Sequence, residues 1–537
     1  MAGRALARLS PGRLGVLVGP GLLVLVERAA HLAGRRCAIL AHPCLRCLSV
    51  RKPMSGAGVG SGTHATARAG RNPPATAGVV RSSPGAARAW RSLRMRFGHL
   101  VTLLIVVALV GFGLTFLQSR PLKPVDPPRR QSFDDAQVRR GATLAAIGDC
   151  ASCHTAPNGP AYAGGVALET PFGVIHGTNI TPDPDTGIGR WSFAAFERAM
   201  REGTDQAGNR LYPAFPYNHF AKLTDDDLKA LYAFVMTRQP VRAQTPENRL
   251  RFPYSIRGLV TFWNWLYLDD KPFKPDPRQS DEWSRGAYLV EALAHCGACH
   301  TPRTKWGGEN SKARFDGGDA EGWWAPPLNG STPALEPWDA ERLTAYLRSW
   351  DDRHGGAVGP MAAVTANLAK APDADVKAIA VYIASHFGQP DVGKKVRLEV
   401  LLSRPEPDLG DDAGLARGRD VFKGVCAQCH ETGAQVPFTV QNLAQHTSLF
   451  APTPDNVLRV ALHGIRTPAG GFGPIMPGFA GSLTPQQLGD LARYLRARFT
   501  DLPPWPDPTA AARRLMNQPE GPAPAPAVAP KAWATAQ

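Results

Sequence analysis

Acidic residues are almost missing from the first 97 positions, where Glu27 stands alone against 16 lysines and arginines. That stretch carries +15 of the chain's formal +16, and residues 98–537 hold 45 basic and 44 acidic side chains. A near-neutral remainder excludes a nucleic-acid groove in the folded part, because phosphate binding needs clustered positive charge. Cysteine is sparse as well. Nine in 537 residues do not make a disulfide scaffold, a device of much smaller secreted chains. No Gly-x-Gly-x-x-Gly opens a strand–helix–strand unit, so a Rossmann-type flavin or nicotinamide site has no signature. Long apolar runs are equally scarce: Leu100–Leu117 continues for 18 residues without a charge, just enough for one helical crossing of a bilayer.

The length predicts several domains. Residues 1–97 are rich in Ala, Gly and Arg and read as a basic low-complexity extension. Leu14–Val26 within it is apolar but short and broken by Gly19-Pro20-Gly21. A start assigned too early is the competing explanation, and Met95 is the alternative first residue. A transmembrane anchor follows over 98–118. Arg88, Arg91, Arg94 and Arg96 before it favour a cytoplasmic N-terminal side. A cleaved signal peptide is the alternative, but no small-x-small site precedes Gln118-Ser119. A Pro-rich tether from Arg120 to Gln131 leads into three modules, at 133–242, 280–392 and 412–502, and an Ala/Pro-rich tail over 508–537 has too little apolar character for a core. Each module opens on an Arg-Gly pair (Arg140-Gly141, Arg285-Gly286, Arg417-Gly418) and closes with an amphipathic helix. Thr224 caps the first closing helix, with Leu228, Leu231, Tyr232 and Val235 on one face. Val376, Ile379, Ala380 and Ile383 mark the second. Thr484-Pro485-Gln486-Gln487 is a capping box for the third, ahead of Leu488, Leu491, Ala492 and Leu495.

Six cysteines sit in three copies of one pattern: Cys150-Ala151-Ser152-Cys153-His154, Cys296-Gly297-Ala298-Cys299-His300 and Cys426-Ala427-Gln428-Cys429-His430. Two thiols at this spacing suit addition across the two vinyl groups of haem, and the adjacent histidine supplies the proximal nitrogen to iron. A zinc site would pair such hooks, or add histidines, within one small unit, and here they stand more than a hundred residues apart. A redox Cys-x-x-Cys has no use for the following histidine. Cys44-Leu45-Arg46-Cys47 has Leu48 in that place and is incidental, as is Cys37. The chain is thus expected to carry three covalently bound haem c groups on a mainly α fold: three tandem class I cytochrome c-like domains after one N-terminal transmembrane helix.

An electron carrier closes the sixth iron position, commonly with methionine sulfur. Met476, in Ile475-Met476-Pro477-Gly478, and Met361, in Gly359-Pro360-Met361, lie in Gly/Pro settings ahead of closing helices and are the expected ligands. Met361 is 61 residues after His300, but 61 residues after His154 stands Phe215, whose ring cannot bind iron. His219 is the nearest alternative donor. Met200 and an open or water-ligated iron are the other options, although Met200 and Met236 fall on predicted helices where core packing is the ordinary use. The stretch Phe262-Trp263-Asn264-Trp265-Leu266-Tyr267 reads as a buried seam between the first two modules, with contact to membrane or quinone as the alternative.

These stretches resemble the tri-haem cytochrome c subunit of membrane-bound alcohol, gluconate and related dehydrogenases. The resemblance covers about 135–500 and rests on the first two haem motifs with their flanks, on Thr178-Asn179-Ile180-Thr181-Pro182-Asp183, and on Leu211-Tyr212-Pro213-Ala214. It also rests on Arg285-Gly286-Ala287-Tyr288-Leu289-Val290-Glu291. It implies a periplasmic, membrane-held subunit with no catalytic residues of its own. A separate dehydrogenase subunit of flavin, PQQ (quinoprotein) or molybdenum type would oxidise the substrate, and electrons would leave to ubiquinone or a terminal oxidase. Phe215 departs from the alcohol-dehydrogenase type, which generally carries Met there, and looks like relatives of molybdenum hydroxylases. A haem enzyme working at an open first iron is the remaining alternative.

Overall fold

The computed structural model describes residues 84–115, 120–431, 442–465 and 476–518. Cys37, Cys44, Cys47 and Leu14–Val26 lie outside them. The chain divides into two compact units, Met1–Trp90 and Arg91–Gln537; of the first, only 84–90 are described.

Helix α1, Pro84–Thr115, starts earlier than the apolar run predicts. Ala and Arg favour helix strongly, so the periodic structure reaches back into the basic extension. Within it Met95–Gly113 has a mean hydropathy of 2.0 over 19 residues and no buried side chains. Among the described residues it is the one helix with the length and composition to cross a membrane.

The first module is framed by α2, Asp135–Ile147, with α3, Cys150–His154, behind it; an antiparallel sheet of β1, Ala167–Thr170, β2, Gly173–His176, and later β3, Arg249–Leu250; and helices α4, Phe193–Glu202, α5, Tyr217–Phe220, and α6, Asp225–Met236. A linking helix α7, Leu259–Tyr267, leads to the second: α8, Asp281–Tyr288; α9, Gly297–His300; the hairpin β4, Gly318–Ala320, and β5, Trp323–Ala325; α10, Ala340–Arg348; α11, Pro360–Leu368; and α12, Asp373–Phe387. After α13, Val392–Leu402, come α14, Ala413–Val425, α15, Ala427–His430, α16, Asp455–His463, α17, Pro485–Phe499, and α18, Pro508–Met516.

The Arg-Gly pairs explain how opening and closing helices meet. A Cβ on Gly141 would collide with the Ala230 carbonyl, one on Gly286 with that of Ala378, and one on Gly418 with that of Asp490. Only glycine lets the two backbones approach so closely. The arginine beside each glycine reaches the same closing helix. Arg140 meets Asp227 at 2.6 Å, Arg285 meets Asp375 at 2.8 Å, and Arg417 meets Asp490 at 2.7 Å. Asp227 and Asp490 are both 1% exposed, so these carboxylates depend on their partners. The Thr224 cap and the Thr484–Gln487 capping box form as the sequence predicts. Gly286 lies ten positions before its Cys motif and Gly141 only nine. The extra residue is taken up in a π-helical turn at Leu289–Leu293.

The first two modules share one hydrophobic core, in which Leu144, Ile147 and Leu231 join Leu289, Leu293 and Ile379. Tyr288 of the second module donates to Asp227 of the first at 2.6 Å. The third is built on a second core, to which Leu398 and Leu401 of α13, Ala512 and Leu515 of α18, and Leu335 of the second module contribute. This corrects the expectation of a coreless tail from 508. Its first nine residues form a Pro-initiated helix with its apolar side buried, and 519–537 lie outside the described residues. The aromatic linker also divides differently from expectation. On α7, Asn264 is buried and accepts from Tyr217 at 2.6 Å, and Tyr267 meets Thr304 at 2.7 Å. Phe262, Trp265 and Leu266 point outward.

Candidate functional site

Each Cys-x-x-Cys-His pattern forms a short helix at the end of its opening helix. In the first two modules the residue before the motif, Asp149 or His295, takes a left-handed conformation (φ 52° and 41°) that turns the chain sharply into it. None of the six motif cysteines is paired in a disulfide. Burial pushes Cys150 and Cys296 up to about 12 and Cys299 and Cys426 up to about 11, and it raises Cys153 further. Among the described residues no three His, Cys, Asp or Glu side chains gather as ligands of a metal ion would.

The histidines are oriented by main-chain carbonyls. His154 Nδ1 lies 2.6 Å from the Thr178 oxygen and His300 Nδ1 lies 2.7 Å from the Pro326 oxygen. A carbonyl only accepts, so Nδ1 carries the proton and the Nε2 lone pair is available for iron. Burial holds both imidazoles below the usual histidine range, outweighing the carbonyl bond that pulls the other way, and keeps them neutral. Thr178 lies two residues past the end of β2, and Pro326 directly follows β5. The two hairpins therefore do the same work in the two modules. The Thr178–Asp183 stretch is braced by Asn179, which donates to the Val241 oxygen at 2.8 Å and accepts from the Thr181 hydroxyl at 2.7 Å. These orienting carbonyls have no residue-type signature, which is why the sequence does not single them out.

A cavity of about 2360 Å³, well beyond the ~300–1,000 Å³ of ordinary small-molecule pockets, is lined by Cys150, Cys153 and His154 and reaches Cys299 of the second motif. Thiols at one edge, an imidazole with a free Nε2 and apolar walls fit a covalently held haem. Met361 is half-buried at the first turn of α11, after Pro360, and packs against the shared core. Met476 is tied to Ile465 by two backbone hydrogen bonds of 2.9 and 3.1 Å, between α16 and α17.

His219 is placed differently from expectation. Nδ1 meets the Glu291 carbonyl oxygen at 2.8 Å and Nε2 meets the Glu309 carboxylate at 2.7 Å. Both nitrogens are engaged by the second module, and the ring fastens the seam between the two modules. Burial alone would raise Glu309; the hydrogen bond and charge of His219, with Arg303, bring it to about 2. Sequence reasoning also missed Trp323. Its indole covers Gly359, just before Pro360-Met361, and the Arg459 guanidinium of the third module lies 5.7 Å from its ring centroid. Next to it, Trp324 and Asn456 exchange hydrogen bonds of 2.9 and 2.8 Å.

Paired thiols on short helices, each pair followed by a histidine, with Nδ1 of His154 and His300 held by a main-chain carbonyl, define a c-type cytochrome. Likeness to known proteins agrees. The cytochrome c family matches residues 138–239, and the family of cbb3-type cytochrome c oxidase subunit III matches 413–495. The fructose dehydrogenase cytochrome subunit of Gluconobacter japonicus is 32% identical over 75% of this chain and 87% of its own length. The gluconate 2-dehydrogenase cytochrome c subunit of Pantoea cypripedii is 35% identical over 68% of this chain and 86% of its own length. The chain belongs to this family of dehydrogenase cytochrome c subunits. It is also 45% identical to a nicotinate dehydrogenase subunit of Pseudomonas putida, over 77% of this chain but only 34% of that longer protein.

Proposed function

We propose that this chain is the electron-transfer subunit of a membrane-bound dehydrogenase and holds three haem c groups, one in each module. The observation that carries the reading is the repeated Cys-x-x-Cys-His helix, with Nδ1 of His154 and His300 tied to a carbonyl and Nε2 left over. Cys150, Cys153 and His154, Cys296, Cys299 and His300, and Cys426, Cys429 and His430 would hold the groups, and Met361 and Met476 would close the second and third irons. Haem c, when bound, supplies reversible one-electron exchange. The chain's own part is to anchor each group, keep its histidine neutral and aimed, and exclude water from its faces. The helix α1 anchors the chain in the inner membrane, with the arginines before it on the cytoplasmic side and the modules in the periplasm.

Electrons enter from a separate catalytic subunit acting on a CH–OH donor such as an alcohol or a sugar acid, and leave to ubiquinone or a terminal oxidase. A second reading has its own support. Phe215 and the likeness to the nicotinate dehydrogenase subunit favour a molybdenum hydroxylase of N-heteroaromatic substrates as the partner. Purification of the native complex in mild detergent, with haem, flavin, quinone and molybdenum analysis, tests both. Three haems per chain with a flavin- or quinoprotein supports the first partner, and molybdenum supports the second. Fewer than three haems per chain would overturn the assignment of one group to each module.

A further inference from the structure

The first module has Phe215 where the second and third have Met361 and Met476, and the fold offers a methionine elsewhere. A helix of nine or ten residues stands ahead of Phe215, Met361 and Met476 alike. It is α4 behind its cap Ser192, α10 behind its cap Asp339, and α16 behind Pro454. Eight residues past those positions, on the buried side, stand Met200, Leu347 and Leu462, exposed by 7%, 7% and 2%. Fourteen residues after Leu347 and Leu462 come Met361 and Met476, whereas fifteen after Met200 comes Phe215. Two modules thus pair a leucine on the helix with a sulfur fourteen residues on, at the first turn of α11 for Met361 and in the bridge to Ile465 for Met476. The first pairs a sulfur on the helix with a ring in the loop.

Both exchanged residues line the cavity that holds His154. Phe215 packs on Phe220, with ring centroids 5.4 Å apart, and fills the loop side with carbon alone. Two other imidazoles, His176 and His295, border the same cavity. His219 has both nitrogens bound in the seam. His176 lies on β2, two residues before the Thr178 carbonyl that orients His154, and its buried Nδ1 has no hydrogen-bond partner, which makes it the competing donor. His295 directly precedes the second motif and packs against Phe220 and His219. Met200 has three rotatable side-chain bonds and a soft sulfur suited to haem iron.

We propose that Met200 Sδ is the sixth ligand of the first haem. Its lone pair forms a dative bond to iron, with no change in electron count and no proton released. The proposal rests on the haem reading given above, and the test separates the two. In the purified full-length holoprotein, haem content is measured by pyridine haemochrome, and methionine ligation by the sulfur-to-iron charge-transfer band of the oxidised protein. Met200→Leu conserves volume, so the fold should be kept. The expected result is three haems per chain in parent and variant, with about a third of the band lost in the variant. The reduced variant should also bind carbon monoxide at one haem that the parent keeps closed. Met200→His should restore closure against carbon monoxide without restoring the band. The proposal is overturned if Met200→Leu leaves the band intact, or if the reduced parent already binds carbon monoxide at the first haem. Fewer than three haems in the parent would instead overturn the haem reading, and the ligand assignment with it.

Discussion

His219 and His154 show how one residue type is given two uses by its neighbours. His154 has a carbonyl at Nδ1 and nothing from the protein at Nε2 among the described residues, which is the state an iron ligand needs. His219 has a carbonyl and a carboxylate, which makes it a clasp between modules. The clasp predicts a pH dependence. The Glu309 carboxyl is held at about 2 against an ordinary 4.5. Its contribution is therefore complete above pH 4.5 and is lost as pH falls toward 2, by on the order of 3 kcal/mol. Acid unfolding of the parent and of Glu309→Gln should show this as a slope in the parent over that window that the variant lacks. Equal slopes would place the acid sensitivity elsewhere.

Among the elements, the crossing of opening and closing helices is the recurrent device. Helix propensity alone says that Gly286→Ala should stabilise α8 by ~1 kcal/mol. The added Cβ, however, would meet the Ala378 carbonyl, part of the rigid backbone of α12. Overpacking of this kind costs about 1–3 kcal/mol, so the expected outcome is net destabilisation, read as a lower thermal midpoint of the holoprotein. A raised midpoint would mean that the helices separate freely. Arg140→Ala should also destabilise, by about 1–3 kcal/mol, because it strips a partner from the buried Asp227.

For the whole molecule, two cores imply two cooperative units. The first two modules are fused through Leu293, Leu144 and the Tyr288–Asp227 bond, whereas the third is built on a second core with α13 and α18. Leu515→Ala should therefore weaken only the third, by about 2–5 kcal/mol. Calorimetry of the full-length holoprotein should show one transition moving down and the other unmoved. A common shift would show that the cores unfold together. The pairing also gives the proposed electron route a geometry. One cavity reaches from the first motif to Cys299 of the second, and Trp323 and Trp324 form the contact toward the third module.

The sequence by itself determined the features that depend on local spacing. Three Cys-x-x-Cys-His patterns state the chemistry, the apolar period places the closing helices, and Thr224 and Thr484 announce their starts, because a cap acts within one turn. The role of Arg140 needed Asp227, 87 residues away, and no local pattern names such a partner. The carbonyls of Thr178 and Pro326 were invisible because every residue has one. The short helix at Pro508–Met516 is hidden by Ala/Pro-rich surroundings, and only packing against the third core accounts for it. His219 was a reasonable ligand by its distance along the chain. The tertiary structure gave it other partners, because the docking of the second module brought Glu291 and Glu309 to its two nitrogens, while the buried side of α4, with Met200, lines the first cavity.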